Sequence, residues 1–149
     1  MFVLYLIMVI VFLVIAIFIP RKKPIQELII TLQFAIILNL LTDMYLDNKY
    51  NLYWYFDEML VEWKYLFIVA GEAIVLYIAF NYFPLFSNQF RKFLYISVWT
   101  IIFVLLELFS VYINVLHYRN WSVVYSAVIY FLSLYVLYLV FKFARRIRH

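Results

Sequence analysis

The chain has 149 residues, 70% of them hydrophobic and 23% aromatic, with a net charge of +4 and a mean hydropathy of +1.01. A soluble domain is about half apolar, so the composition excludes an ordinary soluble domain and points to a polytopic membrane protein. The absence of Cys excludes disulfide and thiol chemistry, and bases spread over short segments read as topological signals and contacts with anionic lipid heads, with no nucleic-acid partner.

Five apolar runs follow one another. The first, Phe2 to Ile19, is uncharged and ends at Pro20, ahead of Arg21, Lys22 and Lys23. A signal peptide carries its positive charges before the apolar run and a small-residue cleavage site after it, so a retained helix is expected. The second run covers about 25–45, the third 65–83 and the fourth 93–113. The fifth, about 121–141, precedes Lys142, Arg145, Arg146 and Arg148. Each approaches the ~20 residues that cross a ~30 Å hydrocarbon layer. Strands are not expected, because each run is about twice as long as a barrel strand. The expected fold is all-α: one membrane domain over 1–149 with five transmembrane helices. Spans 2–5 form a four-helix core and span 1, which lacks a polar face, lies peripherally.

Basic residues orient such a chain. Residues 21–23, 91–92 and the C-terminal tail carry nine bases, against three (Lys49, Lys64 and Arg119) on the other side. The nine-base side is expected to be cytoplasmic, with the N-terminus outside, in a plasma membrane. The outer loop 46–64 then contains Asp47, Asp57, Glu58 and Glu62 among Tyr50, Tyr53, Trp54, Tyr55, Phe56 and Trp63. It reads as a short interfacial helix and an aromatic belt, or as a lid over a site that opens outward.

Charged side chains within a bilayer are costly and default to function. Glu72 and Glu107 lie inside spans, Asp43 and Glu27 lie near opposite ends of the second span, and no Lys, Arg or His lies inside any span. Counted at 1.5 Å per residue, Glu72 and Glu107 fall ~10 Å and ~9 Å below the outer surface. Asp43 lies above them. The second span carries Glu27, Thr31, Ala35, Asn39 and Asp43 at four-residue steps, which keeps them on one side of a helix. Thr100, Glu107, Ser110 and Asn114 make a looser polar side on the fourth span; Ser122, Ser126, Tyr130 and Ser133 make one on the fifth. Such small polar rows are expected to join helices, as is the sole glycine, Gly71, which lets another backbone approach.

An outward-opening cavity is therefore expected, with Asp43, Glu72 and Glu107 as its acids. Asn39, Thr42 and Ser126 would add neutral oxygens, Asp47 a further carboxylate, and Tyr50 and Trp54 the mouth. It would bind or pass protons, cations or a cationic small molecule. The alternative is a non-catalytic subunit of a larger membrane complex, the acids meeting bases of a partner. A homodimer or other membrane subunits would complete a path too long for so short a chain. No motif requires a cofactor or assigns a catalytic residue. A divalent cation held by Asp43, Asp47, Glu72 and Glu107, with His117 on the same side, is chemically feasible because hard cations take oxygen ligands.

Asn39, Asp43 and Asp47 form N-x-x-x-D-x-x-x-D, which resembles part of the aspartate-rich helix of intramembrane prenyltransferases. Leu40 stands where that family has a further Asp, and neither a second acidic motif nor the needed length is present. A metal-dependent lipid- or prenyl-acting enzyme is thus the third reading. The string T-D-M-Y-L-D-N-K-Y (42–50), then Y-W-Y-F (53–56) and Trp63-Lys64, resembles an uncharacterised family of small multi-spanning membrane proteins of spore-forming Gram-positive bacteria. The likeness extends to Glu107 and to N-W-S-x-x-Y-S (120–126). It implies the architecture and the source class but no activity, and it marks Thr42, Asp43, Asp47, Tyr50 and Trp54.

Overall fold

The computed structural model describes residues 1–57 and 62–148. In chain order these form α1 (Phe2–Phe18), α2 (Ile25–Asp43), a π-helical turn (Met44–Lys49), β1 (Tyr53–Tyr55), α3 (Tyr65–Asn81), α4 (Gln89–Tyr112), β2 (Leu116–Tyr118) and α5 (Val123–Arg148). Three helices are long and apolar enough to cross a membrane: α2 with its π-helical extension, α4 and α5. The other two, α1 and α3, are apolar helices of 17 residues, each rising ~26 Å.

The helix limits have local causes. Pro24 stands immediately before α2, where its missing N–H costs nothing. Helix α4 starts at Gln89, earlier than the apolar run suggests, because the Asn88 side chain accepts the Arg91 N–H at 3.0 Å and so caps the first turn. Helix α5 runs past Phe141 through the basic tail, where cations meet the negative end of the helix dipole.

The helices pack in the order α1, α3, α2, α5, α4. Helix α2 therefore lies between α3 and α5, and its four-residue row faces inward: Glu27, Thr31, Ala35 and Asp43 are all buried. The main apolar core gathers Leu28, Val75, Phe80, Phe83, Phe103 and Phe141. Helix α1 keeps most of its surface exposed but sends Tyr5 and Val9 onto α3. They meet Gly71. A Cβ there would lie 3.0 Å from the Tyr5 hydroxyl oxygen and 3.0 Å from Val9 Cγ2. The glycine thus admits two side chains of α1, where the sequence suggested the approach of a backbone. At the opposite end from the sheet, fully buried Asn81 donates to Pro20 O at 3.1 Å and accepts from Lys22 N–H at 2.8 Å. This ties the α1–α2 turn to the end of α3.

The loop 46–64 departs from expectation. No short interfacial helix follows α2 among the described residues. The helix widens into the π-helical turn and then gives way to β1, which pairs antiparallel with β2. Glu58 lies outside the described residues. Tyr53 faces Tyr118, Trp54 faces His117, and Tyr55 faces Leu116. Asn51 and Asn114, at φ of 51° and 54°, turn the chain toward the two strands; Asn tolerates this left-handed region better than most residues. Phe56 is held at φ 56° by its N–H bond to Val115 O at 2.8 Å.

Candidate functional site

Side chains of a strand alternate between faces, and here the alternation builds a roof. Tyr53, Tyr55, Leu116 and Tyr118 all face a cavity of about 100 Å³ beneath the sheet. Trp54 and His117 point the other way and stack on each other, 5.2 Å between centroids. The walls come from α2, α3, α4 and α5, and Asn39, Thr42, Asp43, Glu72, Glu107 and Ser126 all line the space. Asp43, Glu72 and Glu107 come from three helices and lie within electrostatic reach of one another. The structure thus brings together most of the residues that the sequence singled out.

The three acids are not equivalent. Asp43 accepts two phenols: Tyr53 donates to Oδ1 at 2.5 Å and Tyr65 donates to Oδ2. Glu107 Oε1 accepts from Tyr118 and from Ser126, the latter at 2.5 Å. The wiring around Ser126 has a fixed direction. Trp121 Nε1–H donates to Ser126 Oγ at 2.7 Å; an indole N–H can only donate, so the serine proton goes on to Glu107. Two of the acids are thereby supplied with donors from the protein. Among the described residues no hydrogen bond reaches the Glu72 carboxyl. The buried Asn39 Nδ2 in the same lining also has no acceptor.

The cross-strand pair Tyr53 and Tyr118 therefore connects the roof to α2 through Asp43 and to α4 through Glu107. Burial, and after it the Asp43 carboxyl, holds the Tyr53 hydroxyl well above the ordinary phenol range. Burial, and after it the bond to Glu107, does the same for Tyr118. Both stay protonated and remain donors. Tyr53, Tyr55, Tyr65, Tyr118 and Trp121 escaped the sequence reading as site residues. The signal was present in the alternation of Y-W-Y and L-H-Y, which are two three-residue strands written as loop.

Two further spaces adjoin the cavity. A vestibule of about 420 Å³ is lined by Asp47, Trp54, Asp57, Glu62 and Arg119 and shares Asp43, Tyr53 and Tyr55 with the cavity. A crevice of about 50 Å³ shares Tyr55, Glu72, Phe103, Glu107, Leu116 and Tyr130 with it. Asp43, with its two phenols, separates vestibule from cavity. Asp47 faces only the vestibule, because the π-helical turn breaks the α-helical four-residue row after Asp43. Tyr50 is exposed beside Lys49 and lines none of these spaces, so only Trp54 of the expected mouth pair lies at an opening. Glu62 pairs with Lys64 at 2.6 Å, and Arg119 lies over the Trp54 ring, 5.3 Å from its centroid.

The small polar rows also behave differently from expectation. Thr31, Thr42, Thr100 and Ser110 each donate to the carbonyl four residues earlier in their own helix, at 2.8–2.9 Å. A hydroxyl satisfied within its own turn is not a bond between helices, whereas Ser126 reaches across from α5 to Glu107 of α4. Among the described residues, no group of three or more His, Asp and Glu is placed to hold a metal ion. The carboxylate set that included Asp47 and His117 is dispersed: one lies in the vestibule and the other stacks on the outer side of the roof.

No protein-family model, curated protein or solved structure matches the chain.

Proposed function

We propose that this is an integral membrane protein whose acidic cavity binds or passes protons, a monovalent cation or a cationic small molecule, with Glu72 as the charge that meets the ligand. The reading rests on one observation: of three carboxyls around one cavity, Glu72 alone receives no hydrogen bond from the described residues. Glu72 is half-buried, and a carboxylate largely withdrawn from water without donors or counter-charge is costly. It is relieved by a proton or by a cation. Asp43 and Glu107 act by holding the roof, Asn39 and Thr42 line the walls, and Ser126 orients Glu107.

In this reading all five helices span the membrane. The basic segments support one orientation. Asn81 holds residues 20 and 22, and Arg145 lies 4.4 Å from the centroid of the Phe86 ring, so the segments around 20–23, 81–92 and 142–146 share one end. That end is cytoplasmic by the positive-inside bias. The vestibule then opens outward, and Asp43 with Tyr53 and Tyr65 stands between it and Glu72.

The test uses purified protein in lipid nanodiscs, with methylammonium, Na⁺ and K⁺ as probes and proton uptake measured in parallel. Wild-type protein should bind one of the cations or take up a proton, and Glu72→Gln should lose that event. A Glu72→Gln protein that titrates like wild type would remove the proposal. Co-purification of a stoichiometric partner that is lost on Glu107→Gln would favour the alternative of a subunit in a larger complex.

A further inference from the structure

The end of the bundle opposite the roof is charged in one sign. Its segments carry nine bases and one acid; that acid, Glu27, is 1% exposed and offers no charge to the surface. Most of the bases are exposed, but Lys23, Lys92 and Arg145 are half-buried. They come from the α1–α2 turn, the first turn of α4 and the last turns of α5. Among the described residues none of the three forms an ion pair. Two of them rest on aromatic rings: Arg145 Cζ lies 4.4 Å from the Phe86 centroid, and Lys92 Nζ lies 5.6 Å from that of Tyr138. The third lies in the field of another. Burial, and after it the Arg145 charge, holds the Lys23 ammonium below the usual lysine range, and Glu27 opposes this more weakly. Cations withdrawn from water are costly without an opposite charge, and a ring face offsets only part of that cost. The place is also open: Phe86 is 84% exposed with the guanidinium over it, and Phe90 at the start of α4 is exposed as well.

We propose that Lys23 and Arg145 bind the phosphodiester of an anionic phospholipid, with Lys92 as a deeper donor to its ester oxygens. A guanidinium fork suits two phosphate oxygens, and an ammonium adds a point charge beside it. The depths fit a glycerophospholipid, whose esters lie below its phosphate. Tyr138, which holds Lys92, precedes Arg145 by seven residues on α5, a step of ~10 Å along the helix away from its basic end. The exposed rings of Phe86 and Phe90 then meet the upper part of the acyl chains, since aromatic side chains settle at headgroup level. A free phosphate would satisfy Lys23 and Arg145 but leave Lys92 and these rings without a partner, so the lipid is the better fit. Basic pockets between membrane helices take such headgroups. The site needs only that the helices span a membrane, and it is independent of Glu72.

The probe is phosphatidylglycerol, present as a minor component of phosphatidylcholine nanodiscs that contain the full chain. Lipid retained by the protein after release from the discs is counted by native mass spectrometry. Wild-type protein should retain phosphatidylglycerol at least threefold above its share of the bilayer. The double variant Lys23→Gln/Arg145→Gln should bring retention back to that share, and Lys92→Gln should lower it at least twofold. Arg21→Gln/Arg146→Gln removes the same charge from exposed positions and should leave retention within twofold of wild type. Circular dichroism should show native helix content in each variant. Equal losses in the two double variants would reduce the effect to attraction between the whole basic end and the leaflet, and would overturn the site. Release of the lipid by inorganic phosphate would overturn the choice of a lipid. The wild-type measurement needs no variant to fold: no enrichment of phosphatidylglycerol over phosphatidylcholine would by itself overturn the proposal.

Discussion

The bond between Tyr53 and Asp43 is the place to test how the roof is held. Both residues are buried, with 7% and 6% of their surfaces exposed, and the phenol lies 2.5 Å from Oδ1. Tyr53→Phe removes the hydroxyl but keeps the ring, and with it the edge contacts to Tyr55 and Trp121 at 5.9 Å and 5.5 Å. The loss is therefore one hydrogen bond and little packing. A bond to a charged group contributes about 1.5–3 kcal/mol in soluble proteins, whereas side-chain bonds between membrane helices average about 0.6 and reach about 1.7 kcal/mol. Asp43 keeps Tyr65 on its other oxygen, so it is not left bare. We expect a loss of about 1–2 kcal/mol. The assay is reversible unfolding in mixed micelles with increasing SDS, carried out as a double-mutant cycle with Asp43→Asn. A coupling energy within the ~0.3–0.5 kcal/mol scatter of independent sites would refute a latch between roof and helix.

Other expectations follow the same physics. Ser126→Ala leaves the Trp121 indole N–H without its acceptor and Glu107 with one donor fewer; it should destabilise by about 1–3 kcal/mol and shift the Trp121 indole proton in an NMR spectrum, and an unmoved resonance would count against the relay. Asn81→Leu orphans the Pro20 carbonyl and the Lys22 N–H, so a comparable loss of about 1–3 kcal/mol is expected at the end of the bundle far from the cavity, with cation binding unchanged. Stability should also fall in alkali. Tyr53 has a folded value above its unfolded one, so its contribution is fully present below pH about 10 and is lost as the pH rises beyond it, by up to about 1.4 kcal/mol per pH unit. Unfolding measured between pH 8 and pH 11 should show this decline above the phenol value, and Tyr53→Phe should reduce its slope.

Much of the site was legible because its costs are local. A carboxyl inside an apolar run stands out in any order of helices, and counting residues from the ends put Glu72 and Glu107 at a common depth. They do line the same two spaces. The row ending at Asn39 and Asp43 was legible because four-residue spacing keeps one face of a helix. Asp47 was misread for the same reason: the spacing rule holds only while the helix remains α, and the turn from Met44 is π-helical. Tyr50 was misread as part of the mouth because an aromatic loop residue has no periodicity to place it. The divalent set is not assembled among the described residues, because acids on the same side of the layer need not converge on one point.

Composition and length by themselves determined a helical chain with runs long enough for a membrane, since hydropathy and a 1.5 Å rise need no knowledge of neighbours. Charge bias along the chain supplied only an expected orientation. The tertiary structure alone decided which acid is left without donors. Asp43 and Glu107 differ from Glu72 only through Tyr53, Tyr65, Tyr118 and Ser126, which reach them from other elements. Two of those contacts, from Tyr53 and Tyr118, depend on two three-residue strands separated by about sixty residues of chain, and the other two come from α3 and α5. The pairing of the strands is a long-range event, and no local pattern near any of the three carboxyls encodes it.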